Sequence, residues 1–205
     1  MIAYAIEAAR DSQCFEHIIV STDDAEIAAV SVAYGAEVPF VRPADLADDH
    51  TPTVPVIAQA IEACQALGWD IAYACCIYPC VPLIDPVDLK RGFDQLLAAP
   101  KALYSFPVTS FPSPVQAALR RSTTGMVDLF DPSHVATRTQ DLEPGFYDAG
   151  QFYWGGADAW LSGEQILSHG TSIELPEWRV VDIDTIADWT RAELMFQALR
   201  SHRPP

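Results

Sequence analysis

Apolar positions along the chain switch repeatedly between helical and strand periods. Ile2, Ala5, Ile6 and Ala9 fall at helical spacing, so the sequence opens inside a helix. His17-Ile-Ile-Val-Ser21 is a β-branched run that reads as a buried strand. Thr22-Asp-Asp-Ala-Glu26 then starts a helix with acidic first-turn residues. Ile27, Val30 and Tyr34 form its apolar stripe, and Gly35 ends it. Glu37 to Val41 is a second strand, kept at an edge or irregular position by Pro39. Arg42 to Thr53 is a long loop of the kind that often carries function. A helix follows from Val54 to Leu67, then the most apolar strand, Asp70 to Tyr78, as expected for a central parallel strand covered on both faces. Asp85-Pro86 caps and starts another helix, with Leu89, Phe93, Leu96 and Leu97 buried, and Ala102 to Val108 is the next strand. Strand and helix alternating in this way predict an α/β fold with a doubly wound, mostly parallel sheet.

After residue 108 the rhythm breaks. Val115–Leu119 and Met126–Phe130, joined across Thr123-Thr-Gly125, predict a hairpin. In Tyr147-Asp-Ala-Gly-Gln-Phe-Tyr-Trp154 aromatic and polar residues alternate, which places Gln151 with Tyr153 on one face and Phe152 with Trp154 on the other. Ala157–Leu161 is a short helix, Ser172–Leu175 and Val180–Ile183 are strands, and Ile186, Trp189, Ala192, Phe196 and Leu199 mark a closing helix. We read 1–205 as a single domain with an arm at roughly 109–142.

Charge narrows the functions available. A net charge of −16 argues against a general nucleic-acid or membrane-surface binder, and no apolar run is long enough to span a bilayer. The start lacks a signal peptide's basic region and cleavage site, so a cytoplasmic protein is expected. The five cysteines have no framework spacing, which fits reduced thiols; Cys75, Cys76 and Cys80 read as buried. The glycine signatures of dinucleotide-binding folds and P-loops are absent, as is a nucleophile elbow.

In open α/β sheets, ligands bind at the carboxyl ends of the strands. The groups expected there are Ser21-Thr22-Asp23, Arg42, Tyr78-Pro79-Cys80, and Asp182 with Asp184. Hydroxyls, one arginine and carboxylates suit a nucleotide or sugar phosphate held with a metal. Asp182 and Asp184, two apart in an extended strand, would project together, and hard divalent cations use such carboxylates with substrate phosphates. On pattern alone a helix cap at Asp184 or Thr185, with Asp188 completing a capping box, is the commoner use of this stretch. Ser21 to Asp23 has the same capping alternative. Arg138 with Gln140 suits a carboxylate held by a two-point fork and a sugar hydroxyl or amide.

Val20-Ser-Thr-Asp-Asp-Ala-Glu-Ile-Ala28, Tyr34-Gly-Ala-Glu-Val-Pro-Phe-Val-Arg-Pro43, Ala136-Thr-Arg-Thr-Gln-Asp-Leu142, Tyr147-Asp-Ala-Gly-Gln-Phe-Tyr-Trp-Gly155 and Asp182-Ile-Asp-Thr-Ile-Ala-Asp-Trp189 resemble the cytidylyltransferases that activate nonulosonic acids, nearest their pseudaminic acid branch. Tyr78-Pro-Cys-Val-Pro-Leu-Ile84 departs from the segment usual in the sialic acid branch. The resemblance implies a Rossmann-like nucleotidyltransferase fold with a hairpin dimerisation arm. It implies a homodimer that joins CTP to the sugar acid and releases pyrophosphate, with Mg2+. By position it implies metal ligation and catalysis at Asp182 and Asp184, nucleotide binding at Ser21, Asp23 and Tyr78, and sugar binding at Arg138, Gln140 and Gln151. Beside the other segments, metal ligation becomes the favoured use of the acidic pair.

The front of the chain departs from the pattern. Members begin with a strand and a Gly- and basic-rich loop that holds the CTP phosphates, and Met1 falls just after that position. Loss of that strand would leave a gap in the sheet. Either the start is assigned downstream of the true one, or this is a truncated form. The chain as given is expected to be inactive or weak. Two alternatives remain: a non-catalytic sugar- or nucleotide-binding remnant, and a nucleotidyltransferase for another acidic sugar.

Overall fold

The computed structural model describes residues 1–48 and 50–202. Among the described residues seven strands and six α-helices follow one another: α1 (Ile2–Ser12), α2 (Ala25–Ala33), α3 (Thr53–Ala66), β1 (Tyr73–Ile77), α4 (Pro86–Ala98), β2 (Tyr104–Ser110), β3 (Leu119–Arg121), β4 (Val127–Leu129), β5 (Phe146–Asp148), β6 (Phe152–Gly156), α5 (Ala157–Ser162), β7 (Gly170–Glu174) and α6 (Ile186–His202). The main sheet is mixed. β6 pairs antiparallel with both β1 and β2, β5 pairs antiparallel with β2, and β7 runs parallel to β2. β1, β2 and β7 therefore share one direction, with β5 and β6 running against them. The α/β expectation holds, with a mixed sheet; the mostly parallel expectation gives way to this inserted antiparallel ribbon.

Helices cover both faces. Phe152 and Trp154 pack with Ala8 of α1, Leu89 and Leu96 of α4, and Ile173. Tyr104, Phe106 and Tyr153 pack on the other side with Ile61 of α3 and Ala157, Ala159 and Trp160 around α5. Polar edges of these aromatics are satisfied inside: Trp154 Nε1 donates to the Leu89 carbonyl at 2.9 Å, and the Tyr104 hydroxyl donates to the Ala159 carbonyl at 2.9 Å. A third cluster, Leu83, Val181 and Ala192, seats α6.

Four expectations are corrected. Ile18–Val20 and Glu37 form an isolated parallel bridge, Ile19 to Glu37, and no extended strands. Pro39 cannot donate, and no third strand pairs with this bridge among the described residues. β1 pairs on one side only and its residues are exposed or half-buried, so it is not a covered central strand. Lacking a sheet face to cover, α2 turns its expected stripe outward: Ile27, Val30 and Tyr34 are exposed, and its buried residue is Ser31. Val180–Ile183 is not a strand: Val180 is extended, but no described strand pairs with the segment.

The arm carries the expected hairpin, shorter than read. Leu119–Arg121 pairs with Val127–Leu129 around Gly125, whose φ of 87° is the left-handed conformation that the turn requires. Val115–Ala117 is a 3₁₀ turn outside the ladder.

Candidate active site

The carboxyl ends of the co-directed strands gather a connected set of polar side chains. β1 ends at Ile77, which places Tyr78 at the sheet's rim. The Tyr78 hydroxyl lies 2.9 Å from Thr53 Oγ1 at the start of α3. Its ring is 5.3 Å from that of Tyr153, and the Tyr153 hydroxyl donates to Asp148 Oδ2 at 2.7 Å. Burial pushes the Tyr153 phenol upward, and the hydrogen bond to Asp148 adds to it, so this hydroxyl stays a neutral donor.

Strict alternation would put Asp148 and Tyr153 on opposite faces. A bulge brings them together. Val108 pairs with Asp148 but Ser105 pairs with Trp154, so three extra residues, Ala149 to Gln151, sit in the β5–β6 ribbon opposite β2. An odd excess reverses the alternation across the bulge. Asp148 therefore shares the face of Val108, Tyr104 and Tyr153. Gly150 adopts a φ of 62° at the bulge, and its N–H donates to Asp148 Oδ1 at 2.9 Å. Phe152 and Trp154 lie together and away from Tyr153, as the alternation predicts for that half of the ribbon.

Gln151 is 4% exposed. Its backbone carbonyl accepts the Tyr78 N–H at 2.9 Å, and its Nε2 donates to the Arg179 carbonyl at 2.7 Å. Its Oε1 is buried without a partner among the described residues. The Arg179 guanidinium then reaches Asp85 Oδ2 at 3.2 Å and Asp88 Oδ2 at 2.5 Å. One hydrogen-bonded group thus links the β1 rim and the bulge, and through Arg179 reaches the start of α4.

Ser21 and Arg42 are joined at a second corner. Arg42 Nε donates to Ser21 Oγ at 3.1 Å and a second guanidinium nitrogen donates to the Ser21 carbonyl. Asp24 caps α2, accepting from the Glu26 and Ile27 N–H groups at 2.8 and 2.9 Å, so Ser21 and Asp23 are not its caps. Asp23 is exposed. Burial raises the Cys76 thiol to about 12, with Arg42 pulling the other way, which keeps it an inert thiol near this corner. All five cysteines are free; of the three read as buried, Cys75 and Cys76 are half-buried and Cys80 is exposed.

Asp182 and Asp184 are exposed. The capping alternative is resolved one residue on. Thr185 N–H and Oγ1 donate to Asp188 Oδ2 at 3.0 and 2.6 Å, and the Asp188 N–H donates to Thr185 Oγ1 at 3.2 Å. That reciprocal box starts α6. The Asp182 and Asp184 carboxylates have no hydrogen bond or ion pair among the described residues. As hard oxygen donors left free by the cap, they fit a divalent cation that takes two carboxylates and completes its shell with phosphate oxygens and water. No group of three or more His, Cys, Asp or Glu suited to a metal ion occurs among the described residues.

Arg138 precedes a 3₁₀ turn, Thr139–Asp141, and Gln140 is its central residue; both are exposed. Neither bonds to the rim residues among the described residues. Sequence reasoning passed over Thr53, Asp148 and Arg179. Arg179 had a usable signal: it is one of twelve basic residues and stands three before Asp182.

A sequence profile of cytidylyltransferases matches residues 1–142. Pseudaminic acid cytidylyltransferase of Campylobacter jejuni is 35% identical over 198 residues, spanning 96% of this chain and 85% of that protein. A Helicobacter pylori protein named pseudaminic acid cytidylyltransferase and UDP-2,4-diacetamido-2,4,6-trideoxy-beta-L-altropyranose hydrolase is 32% identical over 207 residues, covering all of this chain and 39% of that protein. CMP-N,N'-diacetyllegionaminic acid synthase of Legionella pneumophila is 27% identical over 206 residues, 96% of this chain and 85% of that protein. Among solved structures, CMP:2-keto-3-deoxy-manno-octonic acid synthetase complexed with CTP matches with a TM-score of 0.65 at 15% identity, over 96% of this chain and 88% of that one, which shows a shared fold.

Proposed function

The chain belongs to the cytidylyltransferase family, and on that premise we propose that it forms CMP-pseudaminic acid, or a closely related CMP-nonulosonic acid, from CTP and the free sugar acid. The carrying observation is the free acidic pair: Thr185 and Asp188 cap α6, leaving the exposed carboxylates of Asp182 and Asp184 available to a ligand.

In the proposed reaction the sugar's anomeric hydroxyl attacks the α-phosphorus of CTP. The new oxygen–phosphorus bond replaces the bond to pyrophosphate, which leaves, and the hydroxyl proton passes to solvent. Asp182 and Asp184 hold a divalent cation such as Mg2+, which supplies charge neutralisation on the phosphates. Ser21, Asp23 and Tyr78 line the nucleotide side. Arg138 and Gln140 meet the sugar's carboxylate and polar substituents, and Gln151, whose Oε1 lacks a protein partner among the described residues, contributes a further polar contact to the sugar. The arm brings a second copy: Leu119, Met126, Val127, Phe130 and Val135 are all exposed along it, an apolar surface suited to a homodimer.

The test is CMP-sugar formation and pyrophosphate release with CTP and a panel of acidic sugars. Turnover with pseudaminic acid is expected to be weak. Asp182→Asn and Asp184→Asn should each lower it about 100-fold or more. CTP binding without pyrophosphate release under any condition would leave a binding protein instead. Preference for an eight-carbon sugar acid would overturn the substrate class.

A further inference from the structure

Asp182 and Asp184 stand on a segment with little regular structure. No backbone–backbone hydrogen bond involves Val181 to Asp184 among the described residues. A pair of carboxylates on such a segment needs something else to fix its stance. The C-terminal side is fixed by the Thr185–Asp188 box. On the other side stands Arg179.

Arg179 is 17% exposed in its side chain and spans two carboxylates of the α4 start. Asp85 is the cap of α4, accepting the Val87 N–H at 2.9 Å through its other oxygen. Asp88 is 4% exposed and also receives Arg91 Nη1 at 2.6 Å, so both its oxygens are charge-paired. Its neighbour Leu89 is fully buried, which anchors this helix end in the core. Meanwhile the Arg179 carbonyl is held by Gln151, whose own carbonyl holds the Tyr78 N–H. Val180 and Val181, each 7% exposed, pass the constraint onward by packing. A buried ion pair contributes little net stability against an apolar alternative, whereas its geometry is specific.

We propose that Arg179, clamped by Asp85 and Asp88 and tied through Gln151 to the β1 rim, is a positioning residue that sets the stance of Asp182 and Asp184 and so their affinity for a divalent cation. The inference rests on the metal-binding reading of that pair. Groups that orient metal ligands typically change affinity about 10- to 100-fold when removed.

The test uses Mn2+ alone, its free fraction followed by electron paramagnetic resonance, beside thermal melting of each variant. Arg179→Met should weaken Mn2+ binding about tenfold or more. Arg179→Lys, which can reach one carboxylate, should recover part of that loss. Asp85→Asn keeps the α4 cap and the Asp88 contact, so it should fold even where Arg179→Met does not, with Mn2+ binding weakened severalfold. A lowered melting temperature with wild-type Mn2+ affinity in these variants would overturn the proposal and leave a clamp that serves folding alone. Asp182→Asn separates the two readings: wild-type Mn2+ affinity there would remove the metal site itself, and the inference with it.

Discussion

Tyr153 carries two duties in one side chain. Its ring fills the cluster of Tyr104, Phe106 and Trp160, and its hydroxyl serves Asp148 at the rim. Tyr153→Phe keeps the ring and leaves Asp148 Oδ2 without its donor, so denaturant unfolding should show a loss of about 1–3 kcal/mol. Gly92 illustrates a different constraint. A Cβ there would lie 2.6 Å from Cε2 of the fully buried Phe152, so Gly92→Ala should lower stability by about 1–3 kcal/mol in the same measurement. An unchanged midpoint would mean that the Phe152 ring can turn aside. Ser21, Tyr78 and the acidic pair were singled out as candidates by local pattern. Thr53 and Arg179 were not, because each gains its meaning from a partner elsewhere in the chain: Thr53 and Tyr78 are 25 residues apart, and Arg179 and Asp88 are 91 apart. Asp148 was not, because the bulge that turns it toward Tyr153 is defined only by the pairing with β2.

Elements divide along the same line. Helices α3, α4 and α6 start and stop close to where capping residues and apolar spacing place them, since those signals act within a few residues. Strands need neighbours, and Val180–Ile183, apolar as it is, finds none. The start of α6 allows a pH test. The Thr185 side-chain hydrogen bond holds the Asp188 carboxyl below its ordinary value of 3.8. A carboxyl lowered in the folded state stabilises above its unfolded value, and that contribution disappears as pH falls through the lowered one. Asp188→Ala should therefore melt below the wild type at neutral pH, with the difference closing in strong acid. A difference constant with pH would assign the effect to something other than the ionised cap. Thr185→Ala, which removes the other half of the box, should cost about 1 kcal/mol.

At the scale of the molecule, the layered α/β plan was legible from alternating periods, and the mixed direction of the sheet was not. Tyr147 to Trp154 reads as one unbroken alternation of aromatic and polar residues, and nothing in it says that the ribbon enters against its neighbours or that it is interrupted. The arm offers a test at this scale. Met126→Glu with Val127→Lys places charge on two positions 73% and 59% exposed, so folding should be unaffected while sedimentation shifts from dimer to monomer. An unchanged mass would move the proposed contact off the arm. The interruption at Ala149–Gln151 carries a consequence for how this protein can vary in length. Deleting one residue there would swap inside for outside along half of the ribbon, sending Asp148 toward the α1–α4 side or Tyr153 away from Asp148. Deleting or inserting two would restore the match. Gains and losses at this point are thus tolerated by parity and not by size, and a two-residue change should fold where a one-residue change does not.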